Sequence, residues 1–347
     1  MAERGLAPAP TVQTALVMQG LEVMEHLNPC ILSIGGSDSS AGAGIQADVK
    51  TAAALGVHAA SAVTCITAQN TTRFGKSQLV EPQVVQDQID AAFEDLPIGA
   101  VKIGMLGSPE IALAVAHALQ RHRKDNPDLA IVVDPVLAAT TDARGAREVV
   151  ARAVSRHLVP LATLVTPNLP EARMLANCCQ QILSGSTTAD NKANAAPEHA
   201  ADDVIAAWAA RTLIACGAKS VLVKGGHGKD PDTVTDLLFG KAADISLAVA
   251  SRVLPGDGDL VPATRVFVGP GERDAYLSRP IAYSSERLQG EFHGTGCVLS
   301  TAAACGLACG LELPRAVGEA RALLRRALEV PTGLGHGSKI IDPTTAM

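Results

Sequence analysis

The segment His293-Gly294-Thr295-Gly296-Cys297 sets two glycines around a threonine, ends in a thiol and runs into the small apolar stretch VLSTAAACGLACGL. Glycine adopts backbone torsions that other residues resist, so successive N–H groups can point at one spot. The helix expected from the next residues adds unpaired N–H donors and the positive end of its dipole. Such a turn can hold a phosphate, or the charge of a phosphoryl group in transit, though most such turns only start helices. Cys297 closes the turn, where the same field is expected to lower the thiol pKa.

Other polar residues stand at the ends of apolar runs. Asp134 ends VVD before Pro135, a frequent place for a carboxylate that faces magnesium or phosphate. Asn168 and Glu171, in TPNLPEA, have the spacing of a helix N-cap with its capping box, and the same pair could hold a cation through water. Lys224 precedes a Gly-Gly turn and could neutralise phosphate or simply lie on the surface. Gln69, in TAQNTT, offers an amide suited to the edge of a heteroaromatic ring, or a turn residue. Met105, in KIGMLGS, suits the wall of a flat apolar pocket, or the core. In IGGSDSSAGAGIQADVKT a glycine-rich turn, including Gly36, leads to a helix bearing Asp48. A dinucleotide turn is excluded because no G-x-G-x-x-G follows the first strand and no acid ends the second. By itself, Asp48 reads as a solvated helix charge.

The elements that must position these groups alternate. Nearly continuous apolar runs at 30–34, 60–68, 100–103, 130–133, 161–166 and 220–223 read as strands buried on both faces. Helical patterns fill 41–55, 82–96, 109–123, 144–157, 170–176 and 201–216. Alternation of this kind gives an α/β fold with a mostly parallel sheet between two helical layers. Ligands of such sheets bind beyond the carboxyl ends of the strands, so the polar motifs converge on one crevice. Segments 177–200 and 242–288 break the rhythm and read as surface insertions.

The composition narrows the class. Of 347 residues 47% are apolar but only 2% aromatic, and the net charge is −6, so a nucleic-acid surface is not expected. Residues 1–28 read as an N-terminal extension without signal or transit character, ahead of a single domain over 29–347. No stretch is long and apolar enough for a membrane span. Eight cysteines without C-x-x-C pairs suggest reduced thiols and a cytoplasmic protein.

Taken in order, IGGSDSSAGAGIQADVKT, TAQNT, VKIGMLGS, DPV, TPNLPEA, VLVKGGH and HGTGC-x-LS resemble the hydroxymethylpyrimidine/phosphomethylpyrimidine kinases of thiamine biosynthesis, in the ribokinase-like superfamily. The resemblance spans roughly residues 28–337. It implies a three-layer ribokinase-like fold, a homodimer, and phosphorylation of 4-amino-5-hydroxymethyl-2-methylpyrimidine and then its monophosphate, with ATP and Mg²⁺. By residue, it implies Gln69, Asp48, Gly36 and Met105 at the pyrimidine. It implies Asn168 and Glu171 on the magnesium side, and Asp134 and Lys224 by the phosphates. Gly294, Thr295, Gly296 and Cys297 would form the anion hole and catalytic residue. A pyridoxal kinase on the same scaffold is the alternative, and a non-catalytic pyrimidine sensor a second one. The sequence departs from the family in LAATTDARG after DPV, in the long segment before HGTGC and in the tail GHGSKIIDP.

Overall fold

The computed structural model describes residues 29–137, 144–185, 200–228, 230–240 and 280–346. Nine strands form one sheet in the order β3-β2-β1-β4-β5-β6-β7-β8-β9. They are β1 Cys30–Asp38, β2 His58–Gln69, β3 Phe74–Leu79, β4 Ile98–Ile103, β5 Ala130–Val133, β6 Leu164–Val165, β7 Ser220–Val223, β8 Thr233–Gly240 and β9 Ile281–Glu286. The run from β2 through β7 is parallel, whereas β3 joins β2 antiparallel at one edge. At the other edge β8 and β9 are antiparallel. A two-stranded ribbon pairs β10 Phe292–His293 with β11 Lys339–Ile340.

The helices are α1 Gly44–Ala54, α2 Pro82–Asp95, α3 Pro109–Asp125, α4 Arg144–His157, α5 Leu169–Ser184, α6 Asp202–Ala215, α7 Thr295–Ala308 and α8 Leu313–Glu329. Two apolar cores lie on opposite faces of the sheet. One packs β1, β4 and β5 side chains such as Ile34, Ile103 and Val133 under Val85, Ile111, Val154, Leu175 and Leu213 of α2–α6. The other packs Ile31, Val132 and Leu222 under Ala52 of α1, Val298 of α7 and Leu323 of α8. This is the expected three-layer arrangement. Because aromatics are scarce, Ala, Val, Leu and Ile fill both cores, and small residues let helices approach closely. On α7 every residue from Val298 to Cys305 is buried, so this helix runs through the interior rather than over it.

Several elements differ from the sequence reading. The apolar run 161–166 yields only Leu164–Val165 as strand, because Val159–Leu161 turns as a 3₁₀ helix. Helix α5 continues through Ser184, so 177–184 is not insertion; Cys178 and Cys179 face the core there. Residues 281–286 of the second segment are the sheet's last strand. Its earlier part, 242–279, lies outside the described residues, as do residues 1–28 and 186–199. Among the described residues no helix is long and apolar enough to cross a membrane.

Candidate active site

The β1–α1 turn and the His-Gly-Thr-Gly turn interlock at the carboxyl ends of the central strands. Asp38, the last residue of β1, accepts hydrogen bonds from the backbone N–H groups of Ser40 (2.8 Å), Gly42 (3.2 Å) and Ala43 (2.9 Å). Those bonds hold the turn, which delays the helix expected from residue 41 until Gly44. Burial opposes ionisation of Asp38, but His293 and these N–H groups prevail and bring its pKa down to about 2. Gly294 has φ +88°, and a Cβ there would collide with the Gly42 carbonyl oxygen. Thr295 then opens α7, so the backbone of Gly294 to Cys297 forms the helix N-terminus that the sequence points to.

Cys297 departs from expectation. Its thiol receives the Gly44 N–H and feels Lys102, yet burial outweighs both and pushes its pKa up to about 11. The expected depression fails because the surrounding protein removes water and because the Asp48 and Asp134 carboxylates add like charge. The resting group is a thiol.

Beneath the turn lies a buried ion pair. Lys102 of β4 donates to both oxygens of Asp48, at 2.9 and 2.8 Å, and both side chains are essentially without solvent contact. Ser33 of β1 and Thr301 of α7 donate to the same carboxylate, at 2.5 and 2.7 Å. Burial works against the Lys102 charge, but the carboxylates, Asp48 foremost, more than offset it and hold the pKa above the ordinary lysine value. Asp48 is therefore no solvated helix charge. It ties together β1, α1, β4 and α7 below the expected anion hole. Lys102 is absent from the sequence-derived site; its signal is a lysine inside the otherwise apolar run AVKI.

On the far side, Lys224 donates to Asp134 Oδ1 at 2.7 Å, and Thr166 donates to the same oxygen at 3.1 Å. Burial disfavours the Asp134 charge, but Lys224 and Lys102 hold its pKa below the ordinary value. A Cβ on Gly296 would lie 3.1 Å from Lys224 Nζ and 3.2 Å from Asp134 Oδ2, so this pair stands against the backbone at the head of α7. Asn168 and Glu171 make the reciprocal capping box of α5, each side chain accepting the other's backbone N–H at 2.9 Å. Burial pushes Glu171 up to about 7, with Asp134 adding to the rise and Lys224 opposing it. The turn after Lys224 is fixed from outside: Asp236 accepts the Gly225 N–H at 2.7 Å, and Arg321 braces Asp236 at 2.8 Å. Motif reading missed this support, because Asp236 and Arg321 belong to no glycine-rich or strand-end pattern.

The remaining expected residues fall on the other wall. A Cβ on Gly36 would collide with Met105 Cε and approach Cys65 Sγ at 2.9 Å, so Gly36 and Met105 meet. The Gln69 amide, at the end of β2, lies 2.9 Å from Nε2 of His293, the residue before Gly294. The structure thus gathers Gly36, Met105 and Gln69 on one side of the His-Gly-Thr-Gly turn. Asp134, Asn168, Glu171 and Lys224 lie on the other, and Asp48 lies below.

The family model described as Phosphomethylpyrimidine kinase matches residues 38–256 and 276–342. The hydroxymethylpyrimidine/phosphomethylpyrimidine kinase of Rhizobium meliloti (strain 1021) is 38% identical over 306 residues, 88% of this chain and 92% of that protein. The crystal structure of phosphomethylpyrimidine kinase from Clostridium difficile 630 superposes with a TM-score of 0.56 at 29% identity, covering 86% of this chain and 99% of that one. The pyridoxal kinase of Staphylococcus aureus in complex with AMP-PCP gives a TM-score of 0.67 at 24% identity, covering 92% and 95%, which is a likeness of fold. The three-layer sheet, the glycine turns at its strand ends and the extent of these matches agree: the chain belongs to the phosphomethylpyrimidine kinase family.

Proposed function

We propose that the chain transfers the γ-phosphoryl group of ATP to the hydroxymethyl oxygen of 4-amino-5-hydroxymethyl-2-methylpyrimidine, and then phosphorylates the resulting monophosphate. The observation that carries this reading is the left-handed Gly294 at the head of α7, with Lys224 and Asp134 against Gly296 and the Gln69 wall one residue away at His293. In transfer, the bond from the γ-phosphorus to the β–γ bridging oxygen breaks as the hydroxymethyl oxygen bonds to phosphorus, and the hydroxyl proton passes to water or to an oxygen of the transferred phosphate. Backbone N–H groups from Gly294 to Cys297 stabilise the oxygens of the group in flight, and Lys224 offsets charge on the triphosphate. A loose transition state leaves the attacking oxygen little charged until late, so Cys297 serves as a thiol that orients the hydroxyl.

Mg²⁺ fits the far wall in one way. Among the described residues no three His, Cys, Asp or Glu side chains converge on a metal position. Glu171 and Asp134 nevertheless share one lysine, and Glu171 is buried enough to resist its charge. Glu171 and Asn168 would hold a divalent ion through water, and such an ion would supply charge neutralisation and alignment to the ATP phosphates.

The test is a set of parallel rates with ATP consumption as readout, on the pyrimidine, its monophosphate and pyridoxal. Faster turnover of pyridoxal than of either pyrimidine would replace this reading. Turnover of none would favour the sensor. Cys297→Ala should lower kcat about 100-fold with the pyrimidine KM within about threefold. A risen KM with unchanged kcat would make Cys297 a binding residue only. Alkylation of Cys297 by iodoacetamide, followed by peptide mass, should accelerate up to high pH and slow with bound pyrimidine.

The partner we propose is a second copy of the chain on the β2–β3 edge. Strand β3 is outermost and exposed along its length, and Ile66, Phe74 and Leu79 are exposed there. An open apolar edge of this kind invites pairing. Sedimentation should give twice the chain mass for the wild type and the single mass for Ile66→Asp. A wild-type protein at single mass throughout the micromolar range would sink the dimer.

A further inference from the structure

His293 meets two polar groups with one ring nitrogen. Its Nε2 stands 2.9 Å from Asp38 Oδ2 and 2.9 Å from the Gln69 amide. That nitrogen carries either a hydrogen or a lone pair. Asp38 is an ionised acceptor, already taking the N–H groups of Ser40, Gly42 and Ala43. A lone pair facing it at this distance would repel it, so Nε2 carries the hydrogen and donates it to Asp38. The amide atom beside the same hydrogen must then be an acceptor. The two ends of an amide have the same outline, and hydrogen-bond logic decides between them. Gln69 stands with its Nε2 toward His293, and exchanging the two ends of the amide sets its carbonyl oxygen against that hydrogen and leaves the NH₂ as the free end.

The surroundings leave this as the remaining freedom of the pair. The backbone of Gln69 is pinned by Ser39, whose hydroxyl lies 2.8 Å from Gln69 N and 2.6 Å from Gln69 O. The backbone of His293 is paired with Ile340 in the β10–β11 ribbon. A Cβ on Gly42 would lie 2.5 Å from the His293 ring, so the imidazole is closely flanked.

We propose that His293 is the positioning residue that orients the Gln69 amide, so that this wall presents a hydrogen-bond donor and takes a flat aza-aromatic ring through an unprotonated ring nitrogen. The inference rests on the reading that Gln69 meets the substrate ring, and the test separates the two. The probe is 4-amino-5-hydroxymethyl-2-methylpyrimidine titrated calorimetrically into the full chain without ATP. Gln69→Leu removes the amide and should raise Kd roughly 20-fold. Gln69→Glu keeps an acceptor for His293 but replaces the donor by oxygen, and should raise Kd at least as much. If Gln69→Glu binds within about threefold of wild type while Gln69→Leu does not, Gln69 meets the ring but the orientation proposed is overturned. If neither substitution changes Kd, the ring contact itself is overturned. His293→Ala should raise Kd about tenfold in the wild-type background and less than twofold in Gln69→Leu, because its effect passes through the amide. An equal effect in both backgrounds would overturn the positioning role even if every variant keeps its melting temperature.

Discussion

Lys102→Met is expected to cost about 3–5 kcal/mol of unfolding free energy, because it strands the buried Asp48 carboxylate without its cation. Asp48 would keep the Ser33 and Thr301 hydroxyls, but two neutral donors do not replace an ammonium group held at 2.8 Å. The double variant Asp48→Asn/Lys102→Met removes both charges and should recover most of the loss, since the cost of the single change is the uncompensated ion. Urea unfolding of the full chain measures both. A single-variant loss below about 1 kcal/mol would mean that water reaches Asp48 and that the ion pair is not the keystone described above. Activity supplies a second readout. Thr301 and Gly296 belong to the same helix, so loosening Asp48 also loosens the floor of the proposed anion hole.

Gly294→Ala should lower kcat by about 100- to 1000-fold, the loss typical when an oxyanion donor is displaced. At φ +88° an L side chain is strained, and here its Cβ would also strike the Gly42 carbonyl oxygen. The two turns must part, which moves the N–H groups at the head of α7. Gly310→Ala separates strain from collision: its φ is +78°, yet no atom of the described residues lies within 4 Å of the added carbon. That variant should lose about 1 kcal/mol of stability and retain its kcat. If Gly294→Ala keeps near wild-type kcat, the proposed anion hole is misplaced.

The central parallel strands were legible because their apolar runs are nearly continuous, and 130–133 and 220–223 agree with β5 and β7 end to end. The edge strands were not. Every residue of β3 is exposed, so no buried pattern marks it, and β9 lies inside the segment read as an insertion. The run 60–68 does fall within β2, but several of its residues are exposed, so that strand is not buried on both faces. For the site, residue types at strand ends sufficed to name one crevice. What spacing did not disclose was pairing across the chain. Lys102 reads as an interruption of an apolar strand until Asp48 is brought beside it from α1. Asp38 and His293 read as a turn residue and a glycine-motif flank until they share a proton. The direction of the Cys297 shift also depended on burial, which a local motif does not report.

The contacts that complete this crevice span nearly the whole chain: Thr301 reaches Asp48 across 253 positions, and His293 reaches Asp38 across 255. On the ribosome, the first half of the sheet can form while α7 is still unmade. The β1–α1 turn then has neither the His293 imidazole nor the head of α7 against it. A chain stalled before α7 emerges therefore has the core under α2–α6 but neither the core under α7 and α8 nor a competent centre. Such long loops also close slowly, so the last event of folding should be the docking of the C-terminal helices, and enzymatic competence should trail secondary structure during refolding.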